Sequence, residues 1–176
     1  MRRPARRHRR LLCVMSVMVL PTLAACGGGA LPTSPSAMGR SVPASVFLQA
    51  EPGSGEGRVL ARSHAIGGQT LHLAPGERRT WTFSTRSVEA RHRVAVSYSN
   101  SRWGDREILD VEIDGVSVAT FEAVETGEDE EGWNEFAVHP AGAVTLRAGT
   151  HTLVVQSSGG DGCVEVDFVE VNPAES

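Results

Sequence analysis

Lysine is absent from this 176-residue chain, so its strongly basic side chains are its 17 arginines. Six of these arginines lie in the first ten residues, and no aspartate or glutamate precedes Cys26. The chain after Cys26 therefore carries 11 arginines against all 21 acids. Because binding to nucleic acid depends on basic surfaces, a balance this acidic argues against a nucleic-acid partner.

A long apolar run is missing as well. The apolar stretch after the arginines extends only from Leu11 to Leu20, whereas a membrane-spanning helix needs ~20 apolar residues. A basic segment followed by a short apolar one is typical of an export signal. Residues 23–26 then read Leu-Ala-Ala-Cys and resemble the lipobox of bacterial lipoproteins, whose cysteine accepts diacylglycerol.

The lipobox resemblance predicts a signal peptide over residues 1–25 and a lipid on Cys26. The protein would then be extracytoplasmic and anchored through this lipid to the cell membrane or the outer membrane. An ordinary secreted protein, cleaved at an Ala-x-Ala-like site that happens to precede a cysteine, is the alternative. The export route stays open between the general and the twin-arginine pathways.

Few cysteines remain for the folded part of the chain. Cys13 would leave with the signal peptide and Cys26 would be acylated, so Cys163 has no partner for an intramolecular disulfide. Residues 27–45 are rich in Gly, Pro, Ser and Ala, and this composition predicts a disordered, flexible linker. The chain is thus divided into a lipidated cysteine and linker (26–45), one domain with a packed core (46–172) and a tail (173–176).

Two-residue alternation of apolar side chains recurs along the domain, and no helical stripe accompanies it. The run 109–113, the dipeptide Asp-Gly and the returning run 116–121 predict a hairpin. Many short strands bounded by Gly, Pro or Asn favour an all-β fold of two antiparallel sheets. In the last strand, 164–171, the apolar parity changes, which predicts a bulge or burial on both faces. Separate short strands are expected at, among others, 80–83, 94–100, 134–138, 143–146 and 151–157.

Six segments carry a recognisable order and spacing: Gln-Ala-Glu at 49–51, the runs 94–100 and 109–115, Gly-Trp at 132–133, and the runs 144–153 and 166–169. Together they resemble the carbohydrate-binding modules of families 6 and 35, which are galactose-binding-like jelly-roll β-sandwiches. The resemblance implies the same fold here and a non-catalytic module that binds an environmental polysaccharide or an envelope glycan.

The same resemblance implies a structural calcium ion that joins the first strand to the last, at Gln49, Glu51 and Asp167. Carboxylate and amide oxygens suit Ca²⁺, which takes six to eight oxygen ligands, so backbone carbonyls would have to complete the shell. The alternative is that Glu51 and Asp167 are solvated or hydrogen-bonded acids at strand ends.

Sugar recognition requires an aromatic face for the C–H side of the ring and polar groups for its hydroxyls. Trp103 lies among polar and charged loop residues, and Trp133 follows the acidic run 128–131. Glu165 stands where many of these modules carry asparagine. Trp81 is expected in the core, and a packing role is the alternative for Trp133. The candidate sugar-binding residues are Trp103, Trp133, Asn100, Asp105, Arg102 and Glu165.

Motifs for catalysis are missing: the histidines lack metal-ligand spacing, and no nucleophile elbow or zinc-binding helix pattern occurs, so no enzymatic activity is expected.

Aromatic residues make up only 5% of the chain, and a sandwich fold alone does not imply sugar binding. The alternative function is therefore a structural or protein-interaction lipoprotein of the envelope, with a protein partner and a decayed sugar site.

Overall fold

The structure, a computed structural model, describes residues 45–50, 52–101, 106–127, 129–160 and 162–174, with the backbone alone at 87, 88 and 129–131. Within these ranges the chain forms β-strands and two short 3₁₀ turns, and no α-helix, as the sequence predicts. No helix in the described ranges is long and apolar enough to cross a membrane. The strands are β1 (Val46–Gln49), β2 (Ser54–Gly55), β3 (Arg58–Ala61), β4 (Gln69–Leu73), β5 (Arg78–Ser99), β6 (Glu107–Ile113), β7 (Val116–Ala123), β8 (Ala137–Gly159) and β9 (Val164–Pro173). The turns are T1 (Ile66–Gly68) and T2 (Asp129–Asn134).

All strand pairs are antiparallel, and two long strands divide the sheet into two layers. Residues 78–85 of β5 pair with 149–156 of β8, whereas residues 89–98 of β5 pair with 137–147 of β8. Layer I contains β3, β4, β9 and the second half of β5 beside the first half of β8, with β1 also paired to β9. Layer II contains β2, the first half of β5, the second half of β8, β6 and β7. The predicted two-layer β-sandwich is confirmed.

The expectation that every strand is short is wrong, because β5 has 22 residues and β8 has 23. The glycines that suggested turns lie instead at irregularities inside β8. Gly142 and Gly149 have φ values of 144° and 147°, which favour glycine, and each lies beside a shift in the β5–β8 register. The irregularity at Gly149 lies where β8 passes from layer I into layer II, that at Gly142 lies within layer I, and neither ends the strand.

The last strand contains a β-bulge and is also buried on both faces over residues 164–169, so both sequence-based explanations of the parity change are confirmed. Tyr98 pairs with Val166 and Ser97 pairs with Phe168, so Asp167 is the extra residue. Val164 and Val166 face the core before the bulge, and Val169 and Val171 face it afterwards. Asp167 and Phe168 therefore both lie on the outer face of layer I.

Apolar side chains from both layers meet in one core. Trp81 is buried there, as the sequence predicts, and its Nε1 donates a hydrogen bond to the Gln49 carbonyl over 2.7 Å. The predicted hairpin is confirmed as β6 and β7, with Asp114 and Gly115 both at positive φ. Other core residues include Leu71, Leu73, Val94, Val96, Leu109, Val111, Ile113, Leu153 and Val155.

A buried histidine supports this hairpin turn. Nδ1 of His151 lies 2.7 Å from Oδ2 of Asp114, and its Nε2 lies 2.9 Å from the Arg147 carbonyl. Both ring nitrogens face acceptors, so the protonated imidazolium satisfies both. Burial alone would lower the pKa of His151, but its hydrogen bonds to Asp114 and Arg147 outweigh burial and raise it. The hydrogen bond from His151 also lowers the pKa of Asp114.

The His151–Asp114 pair is expected to stabilise the fold most between about pH 4 and pH 6.5. The stability from His151 is present below its ordinary pKa and is lost as the pH rises through its raised value. The stability from Asp114 is present above its ordinary pKa and is lost as the pH falls. Urea denaturation should therefore show that His151→Gln costs about 1 kcal/mol at pH 5.5 and less at pH 8.5. A cost independent of pH would contradict the pairing.

Candidate functional site

Two loops cover the outer face of layer I near the start of β9. The segment 62–68 leads out of β3 and contains turn T1, and turn T2 approaches it from the other side. The Ser63 backbone N–H donates to Oδ1 of Asn134 over 3.2 Å, and Nδ1 of His64 lies 2.9 Å from the Asn134 carbonyl. Oγ of Ser99 donates to the Trp133 carbonyl over 3.4 Å. These contacts hold T2 against the segment 62–68 and against the end of β5.

Glu165 lies at the centre of the polar cluster beneath these loops, with a side chain that is 0% exposed. It pairs in register with His72 of β4 and Ser99 of β5. One carboxylate oxygen accepts hydrogen bonds from Nε of Arg62 and Oγ1 of Thr70, both over 2.7 Å. The other accepts from Nη2 of Arg62 and lies 3.4 Å from Nδ1 of His72. Arg62 is thus held by two parallel bonds, which fix the plane of its guanidinium.

Burial alone would raise the pKa of Glu165, because enclosure disfavours the charged carboxylate. The hydrogen bonds from Arg62, His72 and Thr70 outweigh this effect and lower the pKa to about 2. Glu165 is therefore ionised throughout the physiological range of pH. Its charge also raises the pKa of the Arg62 guanidinium, chiefly through the hydrogen bond between them.

Trp133 stands beside this ion pair and is half-buried. Cζ of Arg62 lies 5.9 Å from the centroid of its ring, a distance at which a guanidinium is attracted to an indole face. The ring of His72 is tilted by 52° to the indole, with 5.9 Å between centroids. The Trp133 cluster, which we define as Arg62, Thr70, His72, Trp133 and Glu165, combines an aromatic surface with charged and polar N–H groups.

Two of the predicted sugar-binding residues, Trp133 and Glu165, are brought together here. Asn100 is only 3% exposed, and its Nδ2 donates to Oε2 of Glu107 and to the Ala123 carbonyl. The amide of Asn100 is therefore engaged inside the fold. Arg102, Trp103 and Asp105 lie outside the described residues, and their roles stay predictions.

Sequence reasoning missed three members of the cluster: Arg62, Thr70 and His72. Thr70 and His72 flank Leu71 in β4, and this alternation of polar and apolar residues is a visible strand signal. This alternation does not show which strand pairs with β4. Only the pairing of His72 with Glu165, which are far apart in the sequence, identifies these residues as neighbours of the last strand.

The predicted calcium ligands lie next to turn T1. One oxygen of Asp167 accepts from the Ile66 backbone N–H over 3.0 Å and the other from Oγ of Ser97 over 3.4 Å. Nε2 of Gln49 donates to the Ile66 carbonyl over 3.1 Å. Gln49 and Asp167 therefore approach the same backbone segment, and Glu51 lies outside the described residues.

Asp167 is buried and has no positively charged partner among the described residues. Its side chain is only 2% exposed, and no described arginine lies within ion-pair distance of it. Burial raises its pKa to about 6, although the hydrogen bonds from Ile66 and Ser97 oppose the change. No group of three or more His, Cys, Asp or Glu side chains among the described residues is arranged to hold a metal ion. A calcium shell would thus need Gln49, backbone oxygens and Glu51 in addition to Asp167.

Comparison with known proteins gives no matching family model and no matching curated protein. Solved structures do match. One is a family 35 carbohydrate-binding module from Clostridium thermocellum, with 18% identity and a TM-score of 0.63 over 74% of this chain and 99% of that chain. Another is a family 35 module from an environmental isolate, with 15% identity and a TM-score of 0.60 over 74% of this chain and 98% of that chain.

The same fold occurs as part of larger enzymes. A GH26-CBM35 β-(1,4)-mannanase from Podospora anserina matches with 18% identity and a TM-score of 0.59 over 75% of this chain, which spans only 28% of the mannanase chain. The likeness establishes the class of fold, an antiparallel jelly-roll β-sandwich. Within that class, the neighbours described here are family 35 carbohydrate-binding modules, either isolated or within a longer chain.

Proposed function

We propose that this protein is a non-catalytic lipoprotein module that binds carbohydrate at the Trp133 cluster. The observation that carries the proposal is the half-buried indole of Trp133 beside the guanidinium of Arg62, which Glu165 holds in place. The solved structures with the same fold include family 35 carbohydrate-binding modules, and this supports a carbohydrate ligand. The resemblance of residues 23–26 to a lipobox supports an extracytoplasmic position on a membrane surface.

Each residue of the cluster has a separate role in this proposal. The indole of Trp133 packs against the C–H face of a sugar ring. Arg62 uses two of its nitrogens to bond Glu165, and its remaining N–H groups donate to sugar hydroxyls. Glu165 is enclosed, so it acts as a positioning residue for Arg62 and does not touch the ligand. Trp103, Arg102 and Asp105, which lie outside the described residues, stay further candidates for contact with the sugar.

A glycan array with the purified protein, in the presence of calcium, tests the proposal. The wild-type protein is expected to bind a defined group of glycans, and Trp133→Ala is expected to lower the affinity by about tenfold or more, as loss of a central aromatic contact does. Trp103→Ala tests the prediction for Trp103 in the same way. Phe47→Ala is the matched control, since Phe47 is an exposed aromatic residue on another part of layer I. Absence of binding to every glycan would reject the proposal.

A second candidate function is a structural or protein-interaction role in the envelope. It is favoured by the enclosure of Glu165 and by the position of Arg62 over the ring of Trp133, which covers part of the surface that a sugar would use. Crosslinking in intact cells followed by purification should then recover one defined protein partner. Recovery of no partner, together with glycan binding, would reject this role.

We further propose that Gln49, Glu51 and Asp167 bind a structural calcium ion. The folded state raises the pKa of Asp167 to about 6, so its ionisation costs stability at pH 7, and stability should rise as the pH falls through 6. Without calcium, Asp167→Asn is therefore expected to increase the free energy of unfolding by about 1–3 kcal/mol.

In calcium, by contrast, the wild type should be more stable than Asp167→Asn. The wild type gains stability in proportion to its affinity for the ion, about 2.7 kcal/mol at a concentration of 100 times the Kd, whereas Asp167→Asn gains little. Melting temperatures in calcium and in EDTA measure both effects. Magnesium is the control ion, because it binds poorly in large oxygen cages. Identical melting of the wild type in calcium and in EDTA would contradict the site.

A further inference from the structure

Three arginines lie on the outer face of layer I at the end opposite the Trp133 cluster. Arg93 pairs with Ala143 of β8 and Asn172 of β9, Arg91 pairs with Thr145, and Arg147 pairs with Glu89. Val94 faces the core, so Arg91 and Arg93 face outwards on the same strand. All three arginines are exposed, and among the described residues none forms an ion pair.

Two exposed apolar side chains lie on the same face, between these arginines and the Trp133 cluster. Phe47 is 41% exposed and stacks on Phe168 with 4.2 Å between ring centroids. Val138 is 59% exposed and pairs with Ser97, whose other neighbour is Phe168. We define the arginine face as Phe47, Arg91, Arg93 and Arg147, whereas Val138 lies between this surface and the Trp133 cluster.

The charge of the arginine face differs from that of the whole domain. The chain after Cys26 carries 11 arginines and 21 acids, whereas this face contains three arginines and, among the described residues in register with it, two carboxylates, Glu89 opposite Arg147 and Glu170 opposite Phe47, for a formal charge of 3 − 2 = +1. A locally cationic surface with apolar side chains at its margin fits an anionic lipid surface, where arginine pairs with phosphate and apolar side chains enter the headgroup layer.

The chain enters the domain beside this face. Val46, the first residue of β1, pairs with Val171, which pairs on its other side with Val94, the neighbour of Arg93. The composition of residues 27–45 predicts a flexible tether with an average span of about 25 Å. A lipid on Cys26 would therefore hold the arginine face close to the bilayer at a high effective concentration, so that even weak attraction populates the docked state.

We propose that the arginine face docks the domain on the anionic phospholipid headgroups of the membrane that holds its lipid anchor. This inference rests on the proposed lipidation of Cys26. β9 runs from the Trp133 cluster at Glu165 to the arginine face at Asn172, a distance of roughly 20 Å along the strand. Docking at one end of layer I thus presents the proposed sugar site, at the other end, away from the membrane.

Arginine footprinting of the lipidated protein tests the docking. The protein is purified from membranes and reconstituted into vesicles of phosphatidylcholine, with or without phosphatidylglycerol, and is then treated with phenylglyoxal. Modification of Arg91, Arg93 and Arg147 is expected to fall at least threefold on the anionic vesicles. High salt should remove this protection, because it screens charge. The exposed residues Arg58 and Arg78, which lie on β3 and at the start of β5, are internal controls and should be modified equally on both vesicles.

A paired variant separates specific docking from crowding at the vesicle surface. Arg91→Glu combined with Arg93→Glu should abolish the protection of Arg147, whereas the matched variant Arg58→Glu combined with Arg78→Glu should retain it. Equal modification on both vesicles, or equal protection of all arginines, would overturn the proposal. The mass of the Cys26 peptide is read in the same spectra. An acylated peptide with unprotected arginines overturns the docking alone, and a peptide without diacylglycerol overturns the anchor and the docking together.

Discussion

Replacing Arg62 with alanine is expected to lower the free energy of unfolding by about 3–5 kcal/mol at pH 7. The substitution leaves Glu165 enclosed and ionised without the guanidinium that supplies two of its hydrogen bonds. Thr70 and His72 remain, but neither brings a permanent positive charge. Denaturation in urea measures the effect, and glycan affinity should fall with it because Trp133 loses its neighbour.

The pH dependence of the stability lost in Arg62→Ala shows whether the loss comes from the ion pair with Glu165 or from the packing of the side chain. The folded state lowers the pKa of Glu165 to about 2, so the pair stabilises the protein above about pH 4.5, and this stability is lost as the pH falls towards 2. The difference between the wild type and Arg62→Ala should therefore shrink in acid. Arg58→Ala is the matched control, an exposed arginine in the neighbouring strand β3, and should change stability by less than about 0.5 kcal/mol. A similar loss in both variants would contradict the assignment.

Trp81→Ala should destabilise the protein by about 3–5 kcal/mol, the usual cost of removing a large aromatic side chain from a core. Trp81 fills the space between the layers, and its Nε1 donates to the Gln49 carbonyl, so the substitution also leaves a backbone acceptor unpaired. Trp133→Ala removes the same side chain from a half-buried position. Trp133→Ala should therefore cost less stability than Trp81→Ala and should lower glycan affinity much more.

Comparing the two variants by urea denaturation and by glycan affinity assigns each tryptophan to its role. Trp81→Phe is the conservative control and should recover much of the lost stability, although not the hydrogen bond to Gln49. Equal destabilisation by Trp81→Ala and Trp133→Ala, with glycan binding unchanged in the folded fraction of each, would mean that Trp133 is a packing residue.

Glu165 and Asp167 show how neighbouring carboxylates acquire opposite properties. Both lie on the outer face of layer I, both are buried, and only one residue separates them in β9. Glu165 receives the guanidinium of Arg62, which lowers its pKa to about 2, whereas Asp167 receives only uncharged donors and its pKa is raised to about 6. Asp167 therefore lacks a positively charged neighbour among the described residues, and the proposed calcium ion would provide this positive charge.

Periodicity and turn chemistry were sufficient to predict much of the fold. The Asp-Gly turn identified the β6–β7 hairpin, and the change of parity in the last strand predicted a bulge or burial on both faces, without placing the bulge at Asp167. The continuity of β5 and β8 was not predictable in this way, because Gly142 and Gly149 have the same local signal whether they end a strand or bend it. The pairing of the two long strands decides between these outcomes, and it depends on residues that are distant in the sequence.

The candidate site was predictable only in part, for a related reason. Trp133 and Glu165 are visible as an aromatic residue in a polar loop and as an acid in an apolar strand. Arg62 bonds Glu165 across 103 positions of sequence, and only the β4–β9 pairing brings the two together. The sequence around Arg62 has no feature of its own that distinguishes it from the other arginines.

A crystal structure of the protein with the saccharide that the glycan array selects would test the central proposal most directly. The expected result is a sugar ring packed on the indole of Trp133, with N–H groups of Arg62 donating to its hydroxyls and Glu165 still bonded beneath them. A saccharide bound elsewhere on the sandwich, with the Trp133 cluster unchanged and free of ligand, would contradict it.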